Sequence, residues 1–367
     1  MRFRRLAGAA AATGMLFALV PAAAGIAAAD AGREGYVYTE TNSASGNAIL
    51  AFARSDDGRL NAIGTFPTHG SGTGTGLATQ GEVVLAGDNH WLLAVNAGSN
   101  EVSVFRVRPD GRLALTDRAG AVGTDPVSVT AFGRFVYVLD AGGSGNIAGF
   151  WMDSRGRLHR LPGSVRSLSG PATSPAQISF STNGRFLVVT ERATNSLDTY
   201  PVALDGMVGA RVTTASSGPT PYGFAFDLRS HPIVSEATNS TVSSYRLTSA
   251  GATVISASVP TGGLAACWVV VTPDGRWAFD TNAHGGTISS FAIARNGAIS
   301  IHASVAANTG AGTAPLDLGV SANGRFLYVN ESASHRLMAY AIGPGASLTA
   351  IPNAPTLPAG ASGLASF

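Results

Sequence analysis

The sequence predicts an all-β fold: a seven-bladed β-propeller of four-stranded antiparallel blades, the ring closed by the C-terminal strand pairing in the first blade. Three observations carry this. First, a block of polar turn, apolar strand and polar stop recurs as Asn183-Gly-Arg-Phe-Leu-Val-Val-Thr-Glu191, Asp274-Gly-Arg-Trp-Ala-Phe-Asp-Thr-Asn282 and Asn323-Gly-Arg-Phe-Leu-Tyr-Val-Asn-Glu331. Second, looser copies bring the number to seven, and their closing residues Glu40, Asn96, Asp140, Glu191, Glu236, Asn282 and Glu331 are spaced by 56, 44, 51, 45, 46 and 49 residues. That is the period of a propeller blade and too long for a β-helix rung. Third, seven such units need about 340 residues, and the chain beyond residue 29 supplies 338 of its 367. No second domain fits.

Residues 1–29 read as an export signal: Arg2, Arg4 and Arg5, an apolar run from Leu6 to Val20, then Pro21 and Ala27-Ala28-Ala29 before Asp30. One propeller domain is expected over 30–367, secreted by the Sec route or through Arg4-Arg5 by the twin-arginine route. Blade 1 begins at its second strand, because Tyr36-Val-Tyr aligns with Phe135-Val-Tyr. Its inner strand is expected from Ala361-Ser-Gly-Leu-Ala-Ser-Phe367, beside Tyr36 to Thr39, which removes the free edge of the ring. Blades 2 and 3 follow at Asn89 to Asn96 and Phe132 to Asp140. Blade 4 shows the pattern most clearly, with strands at Ala176 to Phe180, Arg185 to Thr190, Leu197 to Val202 and Val208 onward, separated by Asn183-Gly184 and Asp205-Gly206 turns. Blades 5, 6 and 7 are marked by Ser230 to Glu236, Asp274 to Asn282 and Asn323 to Glu331.

Composition narrows the chemistry. All 24 basic residues are arginine, and beyond the signal 21 Arg face 22 Asp plus Glu. The absence of lysine excludes Schiff-base chemistry, and with no basic run nucleic acid is not an expected partner. A membrane partner is not expected after signal cleavage either, and the chain reads as a monomer. The single Cys267 forms no internal disulfide and reads as a buried thiol heading the strand Cys267 to Val271. No G-x-S-x-G, H-E-x-x-H or C-x-x-C motif occurs. The run His69-Gly-Ser-Gly-Thr-Gly-Thr-Gly76 lacks the lysine and helix of a phosphate loop and reads as a flexible connection between blades.

Strands of a blade alternate in direction, so the Asn-Gly-Arg and Asp-Gly-Arg turns gather on one face, here the bottom. On the top face, the ends of the second strands meet the blade starts: Thr79-Gln80, Pro126-Val127, Ala176-Gln177, Pro221-Tyr222, Ala266-Cys267 and Pro315-Leu316-Asp317. A ring of acids and amides around the funnel mouth is therefore expected, with Glu191, Glu236 and Glu331 as candidate catalytic carboxylates. Gln80, Asn96, Asp140, Gln177, Tyr222, Asn282 and Asp317 are the candidate ligand-binding residues. No cofactor is required; if the carboxylates converge they can hold a cation such as Ca²⁺. The competing account is structural, each side chain accepting hydrogen bonds from its own turn. His69, His284 and His335 fall in or lead toward top-face loops, as candidate bases or solvent-exposed side chains.

The blocks Leu92-Leu-Ala-Val-Asn-Ala-Gly-Ser-Asn-Glu-Val-Ser-Val-Phe105, Asn183 to Glu191 and Gly324 to Glu331 resemble the lactonase-type seven-bladed propellers, which include 6-phosphogluconolactonase and the carboxymuconate cyclases. The resemblance covers all seven blades. It implies an axial site with a glutamate beside a histidine and an arginine supplied by Pro-His and Pro-Arg-His blade starts. This chain has Pro126-Val127, Pro175-Ala-Gln177 and Pro221-Tyr-Gly223 there instead. The resemblance thus implies a secreted lactonase-like protein that binds a small organic or carbohydrate-type ligand at the axial top face. The alternative is an extracellular lactone hydrolase using an axial carboxylate. A sugar-phosphate lactone fits poorly without a positive group to hold it.

Overall fold

The computed structural model describes residues 35–367; the expected export signal lies outside them. Seven antiparallel sheets follow one another in chain order, and within each the strands run 1 to 4 from the axis outward. In blade 1 these are Ser362–Ser366, Gly35–Glu40, Ala48–Arg54 and Leu60–Pro67. The other inner strands are Val83–Ala86, Pro126–Phe132, Pro175–Phe180, Pro221–Phe226, Ala266–Val271 and Pro315–Val320. The remaining second strands are Trp91–Asn96, Phe135–Asp140, Phe186–Glu191, Pro232–Glu236, Trp277–Asn282 and Phe326–Glu331. All seven second strands end on the acid or amide read from the sequence.

The core lies between blades rather than within one central mass. Tyr36, Tyr38 and Ile49 of blade 1 pack on Leu92, Ala94 and Phe105 of blade 2, and comparable layers fill every junction round to blade 7 against blade 1. Both faces of a second strand are thereby covered, which is why Phe326–Glu331 is buried along its whole length. Each large side chain removed from water in these layers contributes ~2–3 kcal/mol. On the bottom face the repeated turns interlock: a Cβ at Gly111, Gly156 or Gly206 would collide with Tyr36, Trp91 or Phe135 of the preceding blade. The Asp-Gly-Arg turn and the aromatic that follows the Gly-Arg turn are thus two halves of one contact between neighbouring blades.

The ring closes as the sequence predicts. Ser362–Ser366 pairs antiparallel with Gly35–Glu40, in register Val37 with Ser366 and Tyr38 with Ala365. Phe367 and Tyr36 exchange backbone hydrogen bonds of 3.1 and 3.2 Å, and the Phe367 ring lies against those of Tyr36 and Tyr38. Two outer strands depart from expectation. In blade 4 the fourth strand is Val212–Ala215; Val208 makes only an isolated bridge to Val202. The adjacent third strand ends in Pro201, which has no N–H to donate there. In blade 3 the outer strand is split into Leu158–Arg160 and Arg166–Ser167, the chain bulging outward across Pro162.

Candidate functional site

The seven residues that end the second strands are all buried, at most 2 % exposed. Most find partners in their own blade, commonly the residue seven positions on. Asn47 donates to Glu40 Oε2 at 2.9 Å, Asn96 to Ser103 at 2.9 Å, Ser243 to Glu236 Oε1 at 2.7 Å and Asn282 to Ser289 at 2.8 Å. Glu191 lies beside Asp198, whose carboxyl is pushed up to about 7 by burial and by that neighbour. They also hold the loop that enters their blade: Gly123 N donates to Asp140 Oδ2 at 3.0 Å, Ser169 N to Glu191 Oε1 at 2.9 Å and Gly218 N to Glu236 Oε1 at 2.6 Å. A Cβ at Gly70, Gly123, Gly218 or Gly263 would strike Asn96, Asp140, Glu236 or Asn282. Glu236 is the extreme, accepting also from Thr241 at 2.5 Å and Ser258 at 3.0 Å. One oxygen of each of Glu40, Asp140 and Glu331 is left without a partner, and burial raises all three carboxyls, Asp140 to about 7; for Asp140 and Glu331 position seven is apolar, Ile147 and Met338. No group of three or more His, Cys, Asp or Glu among the described residues is placed to hold a metal ion.

The axis itself is crossed by the segment Ala78 to Glu82, which leaves blade 1 and braces the far side of the ring. Ala78 O accepts from Tyr222 Oη at 2.6 Å and from Arg192 Nη1 at 3.0 Å, and Thr79 O accepts from Trp268 Nε1 at 2.8 Å. The Gln80 amide pairs with both backbone groups of Val269, at 2.8 and 3.2 Å, and Gln80 N donates to Ala176 O at 3.0 Å. Gln177 plays the same part between blades, accepting from Phe224 N at 2.6 Å. Inner strands diverge at the top, where register breaks leave backbone groups without a ladder partner; glutamine supplies the missing donor and acceptor. Beneath this strap, Thr79 Oγ1 donates to Glu82 at 2.8 Å and Gly363 N to Asp317 Oδ2 at 3.0 Å. Burial and mutual repulsion raise the Glu82 carboxyl, and burial pushes Asp317 up to about 7.

Beside the strap a top-face cleft of about 440 Å³ opens, lined by Thr73, Thr75, Thr79, Asp125, Ser174 and Arg192 among others. Arg192 is fixed from three sides. Its Nε donates to Ser174 O at 3.1 Å, its Nη1 to Ala78 O and to Tyr222 Oη at 2.9 Å, and its guanidinium lies 4.9 Å from the Tyr222 ring centre. Its Nη2 makes no hydrogen bond, and no carboxylate pairs with it among the described residues. Burial raises the Asp125 carboxyl above its ordinary range. The glycine-threonine run expected to be flexible is pinned here: Thr73 N donates to Asn42 Oδ1 at 2.9 Å and Gly74 N to Asn42 O at 2.8 Å.

Of the predicted site residues, Gln80, Gln177, Tyr222 and Asp317 are gathered at the axis, where their polar groups bind backbone. Asn96, Asp140, Glu191, Glu236, Asn282 and Glu331 lie within the blades. His69, His284 and His335 are exposed. Cys267 is buried, its thiol pushed up to about 12 by burial and by nearby Asp280. Sequence reasoning missed Glu82, Asp125, Trp268 and Arg192, and the expectation that no positive group remains is corrected by Arg192. A signal for it exists. The residue after the second-strand stop is Thr41, Ala97, Ala141, Ala237, Ala283 or Ser332 in six blades, and arginine only in blade 4.

A family model described as Lactonase, 7-bladed beta-propeller, matches residues 26–170 and 229–319. The chain belongs to this family. No curated protein matches this Lactonase chain. Among solved structures, it is similar to the periplasmic gluconolactonase of Pseudomonas aeruginosa at 18 % identity and TM-score 0.72, covering 91 % of this chain and 98 % of that one. A candidate 6-phosphogluconolactonase of Bacteroides fragilis gives 17 % and 0.72, with 92 % and 99 % covered. Virginiamycin B lyase of Staphylococcus aureus gives 13 % and 0.53, with 76 % and 85 % covered. At these identities the likeness is one of fold.

Proposed function

We propose that this Lactonase-family chain is an exported propeller that binds a small organic or carbohydrate-type acid or lactone in the top-face cleft, with Arg192 anchoring its carboxylate or carbonyl oxygen. One observation carries the reading: a guanidinium with a free Nη2 and no carboxylate partner, immobilised at the edge of a cleft lined with hydroxyls. Pre-ordered by Ser174, Ala78 and Tyr222, it loses little freedom on gripping an oxyanion. Titration calorimetry with D-gluconate and D-glucono-δ-lactone tests this. Binding that falls at least about tenfold in Arg192→Ala supports it, and binding unchanged by that substitution contradicts it.

Asp125 favours hydrolysis as a second reading, because it lines the same cleft with its carboxyl raised by burial. In that reading Asp125 takes a proton from water as the water attacks the lactone carbonyl, Arg192 steadies the oxyanion, and Asp125 returns that proton to the ring alkoxide as the C–O bond breaks. Lactone turnover abolished by Asp125→Asn supports it; absence of turnover in the unaltered chain leaves binding alone.

A further inference from the structure

We propose that the bottom face docks on an anionic phospholipid surface. Because every 1–2 and 3–4 turn lies on that face, the repeat gathers there charges that the sequence scatters. Arg134, Arg185, Arg229, Arg276 and Arg325 stand in the 1–2 turns of five blades, and eight more exposed arginines stand in or flank the 3–4 turns. Of the 20 Arg and 20 acidic residues described, 14 (these thirteen and the buried Arg54) and 8 lie at this edge, a surplus of six positive charges; the remaining six and twelve lie along the strands or at the top.

The aspartates of this face do not neutralise it. Six of the eight accept hydrogen bonds from their own turns, as Asp110 does from Arg112 N and Asp274 from Arg276 N, both at 3.1 Å. Among the thirteen exposed arginines only Arg59 pairs with a carboxylate. Several guanidinium groups lie over aromatic rings, Arg106 on Trp91 and Arg134 on Phe135, a contact that positions them without removing their charge. Arg185, Arg229 and Arg276 make no side-chain hydrogen bond, ion pair or ring contact among the described residues.

A flat, unpaired cationic face attracts any polyanion. A lipid surface is favoured over a soluble polyanion by the apolar side chains among these arginines. Phe132, Leu204 and Leu228 are 41 %, 104 % and 65 % exposed, and they project from the bottom edges of consecutive blades 3, 4 and 5. Arginines that meet headgroups while leucine and phenylalanine enter the acyl boundary are the combination interfacial binding requires. The ligand cleft then faces away from the lipid. The sequence expectation of no membrane partner after signal cleavage considered only the leader; folding makes the patch from turns about 50 residues apart.

The test is cosedimentation of the chain from Asp30 onward, since the leader itself carries arginines and an apolar run, and residues 35–367 close the ring without it. Vesicles are phosphatidylcholine alone or with about 30 % phosphatidylglycerol. Binding to the anionic vesicles only, weakened at least about tenfold by Arg185→Glu/Arg229→Glu/Arg276→Glu and measurably by Leu204→Ser/Leu228→Ser, is the expected result. The thermal melt of each variant confirms that it folds. No binding to anionic vesicles at low salt overturns the proposal. So does binding that the leucine pair does not alter while soluble heparin competes for it fully, which assigns the face to a polyanion.

Discussion

The two faces of the disc use repetition in opposite ways. On top, an acid or amide recurs at the end of each second strand and disappears into its blade, in four blades bonded to the residue seven positions on and in several holding the incoming loop. Below, an arginine recurs in the turns and stays in water, paired with a carboxylate only at Arg59. On the top face a residue repeated in every blade is thus part of the blade's own construction, and a ligand is better sought where one blade breaks the pattern. Arg192 is such a break, at a position otherwise held by alanine, serine or threonine.

The largest effect that can sharpen this contrast is on closure. Deleting Gly363 to Phe367 strips blade 1 of its inner strand, uncovers the Asp317 carboxyl and frees a sheet edge; a loss of more than ~4 kcal/mol is expected. A melt unchanged within about two degrees would break the account of closure. Next is Glu236→Ala, which leaves Gly218 N and the hydroxyls of Thr241, Ser243 and Ser258 without their acceptor; denaturant titration should show ~3 kcal/mol lost. Ligand binding in the folded fraction should be unaffected, and a loss of affinity there would return Glu236 to the site.

A smaller effect is in pH. Asp140, Asp198 and Asp317 are each raised to about 7 in the fold, chiefly by burial. The folded chain therefore holds protons that the unfolded chain releases above pH ~4. Their stability contribution is complete below that pH and is lost as pH rises through about 7. The melting temperature should fall from pH 5 to pH 8, and Asp317→Asn should flatten part of that slope. A melt that rises with pH across this window would contradict the buried, protonated acids.

Most of the fold was legible because its signals are local and repeated: turn, apolar run, polar stop, and the aromatic match between Tyr36 and Phe135 that exposed a missing inner strand. The outer strands of blades 3 and 4 were not, because Pro162 and Pro201 interrupt ladders whose partners the repeat does not name. The site was legible only in part. Gln80, Gln177, Tyr222 and Asp317 are read from the blade starts and lie near the axis, but the sequence does not name their partners. The bonds of Gln80 to Val269 and of Thr79 to Trp268 join residues 189 apart across the ring, and no periodicity reports such a crossing. The commitment of Glu40, Asn96, Glu191, Glu236 and Asn282 to their own blades was in principle visible, since Asn47, Ser103, Asp198, Ser243 and Ser289 each follow at a spacing of seven.

The most direct test sets the break in the pattern against the pattern itself. Calorimetric binding of D-gluconate and D-glucono-δ-lactone would be measured for the unaltered chain, Arg192→Ala and Glu331→Gln, each shown to be folded by its melt. Affinity lost in Arg192→Ala and kept in Glu331→Gln is the predicted result; affinity kept in Arg192→Ala and lost in Glu331→Gln would contradict the account and restore the ring of carboxylates as the working site.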